Sequence, residues 1–329
     1  MTDNHSTSEK RFRKFGILTI ASVFILIFAG GLVRSTGSGM GCPDWPKCFG
    51  LWVPPTNVSE LPANYKEIYG TENHTVATFD VFKTWTEYVN RLIGVLTGFF
   101  IFLTVFFALP YRKKDKWIFW LSFLAFVLVG FQGWLGAKVV SSNLAHWMVT
   151  IHMIVALVIV GLLIYTITRS QDFMLIHYGG HTNLKYIMLA IMLISLIQTV
   201  SGTQVRENVD AVAIVMGEQN RSNWVANLGN IFKFHRTFSL ISAVLTVYAL
   251  IEIRKSFDRN NIIYKASLAL LILISVQIFS GKILEVWGFP KQIQSIHLFV
   301  GSLIVGMQLF MTIIIFSKTT FKKISIATA

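Results

Sequence analysis

The chain has 329 residues, of which 53% are hydrophobic and only 14% charged, with a mean hydropathy of +0.59. A water-soluble domain of this length cannot hide so much apolar surface, so the composition excludes the soluble classes and points to an all-α polytopic membrane protein. The net charge is +13, but the basic residues gather in short segments between apolar runs, which suits membrane topology and anionic lipid contact rather than nucleic acid.

Residues 1–14 form a polar, basic tail without a cleavage pattern, and the first apolar run is long enough to stay as a helix. Eight runs reach the roughly 20 apolar residues that a membrane helix needs. They lie at about 15–34, 87–109, 117–138, 147–168, 184–204, 232–252, 262–283 and 293–316, and residues 317–329 form a closing tail. Lys10, Arg11, Arg13 and Lys14 precede the first run, and Arg112, Lys113, Lys114 and Lys116 follow the second. Arg254, Lys255, Arg259 and Lys265 follow the sixth, and Lys318, Lys322 and Lys323 the eighth. All fall on one side, which the positive-inside rule makes cytoplasmic, so both termini are expected inside. Two opposite loops, residues 35–86 and 205–230, are long.

The second run opens Glu87-Tyr88-Val89-Asn90-Arg91, and the sixth opens with His235-Arg236 at a position that follows Asn90-Arg91 by 145 residues. The same offset carries Gln132 onto Gln277, Gly136 onto Gly281, His152 onto His297 and Gly161 onto Gly306. At the ends of runs one and five, Gly30 and Arg34 fall on Gly202 and Arg206 at an offset of 172. The longer first loop accounts for the difference. The chain therefore reads as two pseudo-symmetric four-helix bundles, residues 15–168 and 184–316, with equal topology. A four-helix bundle surrounds a shared core in which a cofactor can sit.

Of eight histidines, His5, His74, His177 and His181 fall in tails or loops, and His146 sits at the mouth of run four. His152, His235 and His297 lie inside apolar runs, where an ionisable residue is costly and defaults to a functional hypothesis. Each is about one to one and a half turns in, roughly 6–9 Å below the outer end. Equal depth on runs six and eight is what axial imidazoles on one haem require. The plainer alternative is a pair of histidines hydrogen-bonded between helices, and a bare zinc or copper site lacks acidic and thiol partners. Arg34, Arg91, Arg206 and Arg236 are candidate donors to haem propionates, or arginines snorkelling to the interface. Glu87 has no counterpart in the second half, where the register places Phe232. One turn from Asn90, Glu87 is a candidate for proton transfer, and it is also placed to pair with Arg91 at i+4. Cys42 and Cys48 lie in a loop expected outside, where disulfides persist. Their spacing permits a bridged loop, structural or redox-active, whereas zinc would need two further ligands.

The stretch Gly-Leu-Val-Arg-Ser-Thr-Gly-Ser-Gly-Met-Gly-Cys-Pro-Asp-Trp-Pro-Lys-Cys at 31–48, with Glu-Tyr-Val-Asn-Arg at 87–91 and the later histidines, resembles the haem A synthase family. The resemblance covers nearly the whole chain. It implies a bacterial plasma-membrane enzyme that oxidises a ring methyl of haem O to a formyl group by two hydroxylations, through a geminal diol that loses water, giving haem A for cytochrome oxidase. It implies haem b on His235 and His297 and electrons passing through that haem; Arg206 and Arg236 are the arginines that the residue reading places as candidates beside it. The substrate haem is then expected in the first half with His152, Asn90, Arg34 and Arg91, and with Glu87 as the essential carboxylate. Many members carry histidine where this chain has Asn90, so His152 alone is expected on the substrate iron, with Asn90 giving a hydrogen bond. A haem O synthase and an electron donor are expected partners, alongside membrane lipid; self-association is left open. The rival readings are a bis-haem electron-transfer cytochrome, a two-repeat transporter and an assembly factor that only presents haem.

Overall fold

A computed structural model of the chain describes residues 7–70, 78–171 and 182–316. His5, His74, His177, His181 and the basic residues Lys318, Lys322 and Lys323 lie outside the described residues. Among those described, eight helices are long and apolar enough to cross a membrane. They are α1 (Thr7–Ser35), α2 (Val81–Ala108), α3 (Lys116–Ser141), α4 (His146–Arg169), α5 (Thr182–Met216), α6 (Gly229–Ser256), α7 (Ile262–Val286) and α8 (Lys291–Phe316). The chain is an all-α multi-pass membrane protein, as expected.

Three helices run well beyond the apolar run that announced them, and α1 is helical from Thr7, so residues 7–14 of the expected tail belong to it. α2 begins at Val81 rather than at 87, because Asp80 caps it by accepting from the Lys83 N–H at 3.0 Å. Its first turns carry Lys83, Thr84 and Glu87, whose polarity hides the helix from a hydropathy scan. α5 continues to Met216 although its apolar run ends near 204. In that extension Val205, Val209, Val212, Ala213 and Met216 recur at helical spacing and pack with Trp224, Leu228, Leu284 and Phe289. A helix propagates past the membrane when such a stripe finds a partner.

By contacts the chain divides into two compact units, Met1–Ile167 with Gln294–Phe299, and Thr168–Ile293 with Val300–Ala329. In the first, α1 packs on α2 and α2 on α3. The Thr19 and Thr104 hydroxyls meet at 2.9 Å in the α1–α2 seam, and Phe15 stacks on Phe107. Buried Glu9 is paired with Lys114. Along α2, Leu92, Val95, Leu96, Phe99, Phe102 and Phe106 remain exposed. That apolar stripe at spacings of three and four suits contact with lipid. In the second unit, α5 packs on α6 and α6 on α7, the same order of packing that the sequence register implies. Leu184, Met188 and Ile191, one face of α5, join Ile253, Leu270, Ile274, Ile304 and Met311 in its core.

Trp224 is 2% exposed and closes the α5 extension. Trp224→Ala should destabilise this cap by about 3–5 kcal/mol. Hydrogen exchange should then rise across 205–228, while the α6–α7 core stays protected; uniform protection would refute the packing assignment.

Candidate active site

In the first unit the chain leaves α1 at Ser35 and folds its loop back onto the first turns of α2. Gly41 lies against the α2 backbone, so that a Cβ there would stand 2.5 Å from the Lys83 carbonyl oxygen and 2.8 Å from the Thr84 nitrogen. The Thr84 hydroxyl donates to the Gly41 carbonyl at 2.9 Å. The next residue, Cys42, donates its N–H to Glu87 Oε2 at 3.0 Å. Cys42 and Cys48 are joined by a disulfide and are fully buried. Between them Asp44 turns its carboxylate inward and accepts from the Phe49 and Gly50 N–H groups at 2.6 and 2.8 Å. Those two bonds hold Phe49 with a positive φ of 54°, a conformation that a bulky residue adopts only when its surroundings enforce it. The Phe49 ring meets Tyr65, Tyr69 and Phe79 edge-on.

Arg91 ties this loop to the helix. Its Nη2 donates to Glu87 Oε1 at 2.6 Å and to the Cys42 carbonyl at 3.3 Å. Its Nη1 donates to the carbonyls of Asp44 and Lys47 at 2.7 and 2.9 Å. The side chains of Arg91 and Glu87 are 14% and 4% exposed, so the pair is largely withdrawn from solvent. The i+4 pairing foreseen for Glu87 is present, and the guanidinium also spans a loop whose carbonyls leave no trace in sequence.

Two further groups of the first unit carry unsatisfied polar atoms. Asn90, one turn on from Glu87, has a buried Oδ1 without a hydrogen-bond partner, and Gly30 of α1 is its near neighbour. His152 is the seventh residue of α4. The Gln132 amide of α3 donates to its backbone carbonyl at 2.7 Å. Its Nδ1 is buried and unpartnered, and a Cβ on Gly136 would lie 3.5 Å from its Cε1. This imidazole therefore keeps one nitrogen unsatisfied, and the glycine leaves room beside its ring.

The second unit answers differently. His235 is the seventh residue of α6. The Gln198 amide of α5 donates to its carbonyl at 2.9 Å, and Ser201 Oγ lies 2.9 Å from its Nδ1. Gly202 opens space at the ring: a Cβ there would come within 3.3 Å of Cε1. His297 is the seventh residue of α8 and belongs to the stretch that groups with the first unit. There Ser295 meets Ser35 at 2.8 Å. Arg206 pairs with Asp210 at 2.9 Å and Arg236 with Glu285 at 2.8 Å. Arg34 lies in the last turn of α1. His146 opens α4.

The family model of the COX15-CtaA cytochrome oxidase assembly proteins matches residues 13–309. The chain belongs to that family. Relatives in it carry the name heme A synthase. The Rickettsia prowazekii protein is 24% identical over 312 residues, covering 87% of this chain and 92% of its own. The Pelagibacter ubique protein is 33% identical over 178 residues, 48% of this chain and 50% of its own. The Wolbachia protein is 26% identical over 320 residues, 88% of this chain and 92% of its own.

For a member of this family, the sequence repeat drew attention to Glu87, Asn90, Arg91, His152 and His235. It passed over Asp44, Gln198 and Ser201. The signal for the last two was available in the 172 register, which sets Gln198 against Leu26 and Ser201 against Ala29.

Gly41→Ala should lift the loop from α2, because the atoms it meets are backbone and cannot step aside. Thiol trapping after mild reductant should then label Cys42 and Cys48, which burial should protect in the wild-type protein. Arg91→Lys should do the same more weakly, since one ammonium cannot replace a planar fork shared among four acceptors. A Gly41→Ala loop as protected as the wild type would refute this seat.

Proposed function

We propose that this protein is a haem A synthase, oxidising a ring methyl of haem O to the formyl group of haem A. The family membership and the heme A synthase relatives support this. The observation that carries the chemical assignment is the buried Glu87 carboxylate, held by Arg91 and the Cys42 N–H in the unit that also contains the unpartnered His152 Nδ1.

In this reading the half formed by residues 15–168 takes the haem O substrate. His152 supplies the imidazole for the substrate iron, and Asn90, its Oδ1 unsatisfied, turns a polar group to the same substrate. Arg34 is a candidate partner for a propionate. Arg91 acts through Glu87, because its donors already serve that carboxylate and three loop carbonyls. Glu87 accepts one bond on each oxygen, and a carboxylate oxygen has a second lone pair, so Glu87 can take a proton from substrate or water without leaving its seat. Each hydroxylation is a two-electron oxidation of the methyl carbon and draws on an oxygen-atom donor and oxidant from outside the chain; two in succession would give a geminal diol, and loss of water leaves the aldehyde. Glu87 is the residue proposed to move a proton in that loss.

The half formed by residues 184–316 is proposed to hold haem b on His235 and His297. The residues at His235 fit such a group: the imidazole is half-buried, Gly202 leaves room at its ring, and Ser201 engages Nδ1, so that Nε2 is the ligating nitrogen. Arg206 and Arg236 hold carboxylates in this structure, the same chemistry that a propionate offers. Haem b would supply single electrons. By the positive-inside rule the basic loops support cytoplasmic termini, with the Glu87 end of α2 then on the outer side. An electron donor and a haem O synthase are the partners this activity requires.

The test is haem extraction and chromatography of membranes from a haem-O-producing host. The wild-type chain should yield haem A, and Glu87→Ala should cut the yield at least tenfold while leaving haem b bound. Haem A in full from both would move the chemistry away from Glu87. Haem b and haem O alone from well-folded protein would favour an electron-transfer cytochrome.

A further inference from the structure

The two units treat their polar positions differently, and the difference lies in the side chains around each imidazole. In the second unit Ser201 sits beside His235 Nδ1 at 2.9 Å. A serine hydroxyl has one proton to give. Here Oγ is also 3.0 Å from the Gln198 carbonyl and 3.3 Å from Gln198 Oε1. A proton given to Gln198 leaves Oγ with lone pairs toward His235, so the hydrogen of the remaining contact comes from Nδ1. The ring is then the Nδ1–H tautomer, with Nε2 carrying the lone pair. Gln198 completes the arrangement by donating from its amide to the His235 backbone carbonyl at 2.9 Å. One pair of residues on α5 thus fixes the height, the rotation and the tautomer of one imidazole on α6. Ser201 is 5% exposed, so water competes little for this bond.

The first unit has no such device at its matching positions. The register that pairs Gly30 with Gly202 and Arg34 with Arg206 places Leu26 at Gln198 and Ala29 at Ser201, and neither side chain can hydrogen-bond. The residue at the place of His235 is Asn90, whose Oδ1 is buried and unpartnered. His152, the intramembrane imidazole of this unit, keeps the backbone latch from Gln132 but has a buried, unpartnered Nδ1.

We infer that Ser201, oriented by Gln198, is the positioning residue that makes His235 a permanent iron ligand, whereas the first unit's imidazole, His152, has no such partner on Nδ1, which leaves that unit's haem exchangeable. This rests on the reading of His235 as a haem b ligand. The chemistry is general: an acceptor on the distal nitrogen of a ligating imidazole raises its basicity and strengthens its hold on iron. A more basic ligand also favours the ferric state and lowers the reduction potential. A cofactor that must stay benefits from both effects. A substrate that must leave as product is better served by a ligand without that support.

The test uses the purified holoprotein and four variants. Ser201→Ala removes the acceptor. Ser201→Thr and Ser201→Val match each other in shape and differ only in the hydroxyl. Haem loss to excess apomyoglobin and the midpoint potential of haem b are measured on each. Ser201→Ala and Ser201→Val should lose haem about 10–100-fold faster, the cost usual for removing such a partner, with the potential raised. Ser201→Thr should match the wild type in both. Should Val and Thr behave alike, the hydroxyl has no such role and the inference is overturned, with His235 still a ligand. His235→Ala is the control on the reading beneath it: a wild-type low-spin spectrum in that variant would overturn the ligand assignment itself.

Discussion

A carboxylate and a guanidinium one helical turn apart on α2, Glu87 and Arg91, hold the loop from Cys42 to Gly50 against a membrane helix. The i,i+4 pair alone would add only a few tenths of a kcal/mol on an exposed helix. Burial changes its weight. Removing one partner from a buried pair leaves an uncompensated charge and costs about 3–5 kcal/mol, and here the loop would lose its anchor at the same time. The arrangement works because arginine offers a planar set of donors that can serve several acceptors at once. The loop carbonyls of Cys42, Asp44 and Lys47 face those donors, while the Asp44 carboxylate sets the turn that presents them. The disulfide closes the same turn. Loop and helix are thus parts of one seat for Glu87.

Much of this was legible in the sequence, and the rest was hidden for physical reasons. The eight apolar runs became eight helices because hydrocarbon leaves the backbone no partner but itself. The Glu87–Arg91 pair followed from helical spacing, and the two cysteines from their short separation. The start of α2 at Val81 was hidden by polar residues that are buried under the loop rather than under lipid. The extension of α5 to Met216 was hidden because its stripe is amphipathic and packs on Trp224 outside the apolar run. The carbonyls that Arg91 binds were not legible at all, since every residue has one. Asp44 stood in the sequence only as one residue of the 31–48 stretch, and only the fold shows that its carboxylate faces two backbone N–H groups.

Ser201 and Gln198 make the sharper lesson. Each looks like an ordinary polar residue near the end of a membrane helix, and hydropathy gives neither any weight. The internal repeat gives them weight by comparison, because the first half has alanine and leucine at the same places. A repeated fold supplies its own control: where packing is shared and a polar pair appears in one copy only, the pair answers to the chemistry of that copy.

That asymmetry bears on how, in the proposed function, one architecture would hold two haems to different ends. Each unit repeats the packing of its first three helices, α1 on α2 on α3 and α5 on α6 on α7, so the scaffold does not distinguish a cofactor from a substrate. The distinction must come from side chains. The first unit has Glu87 where the second has Phe232, and Asn90 where the second has His235. It gains a buried carboxylate and lacks an imidazole there, together with the residues that would have oriented one. A site that binds its haem less firmly and carries a buried carboxylate is suited to turnover. A site with a locked imidazole and no carboxylate at the matching position is suited to retention. Under the proposed function, the reverse distribution of ligand strength would retain product and lose the electron-carrying haem, so the proposed division of residues between the halves agrees with the proposed task of each haem.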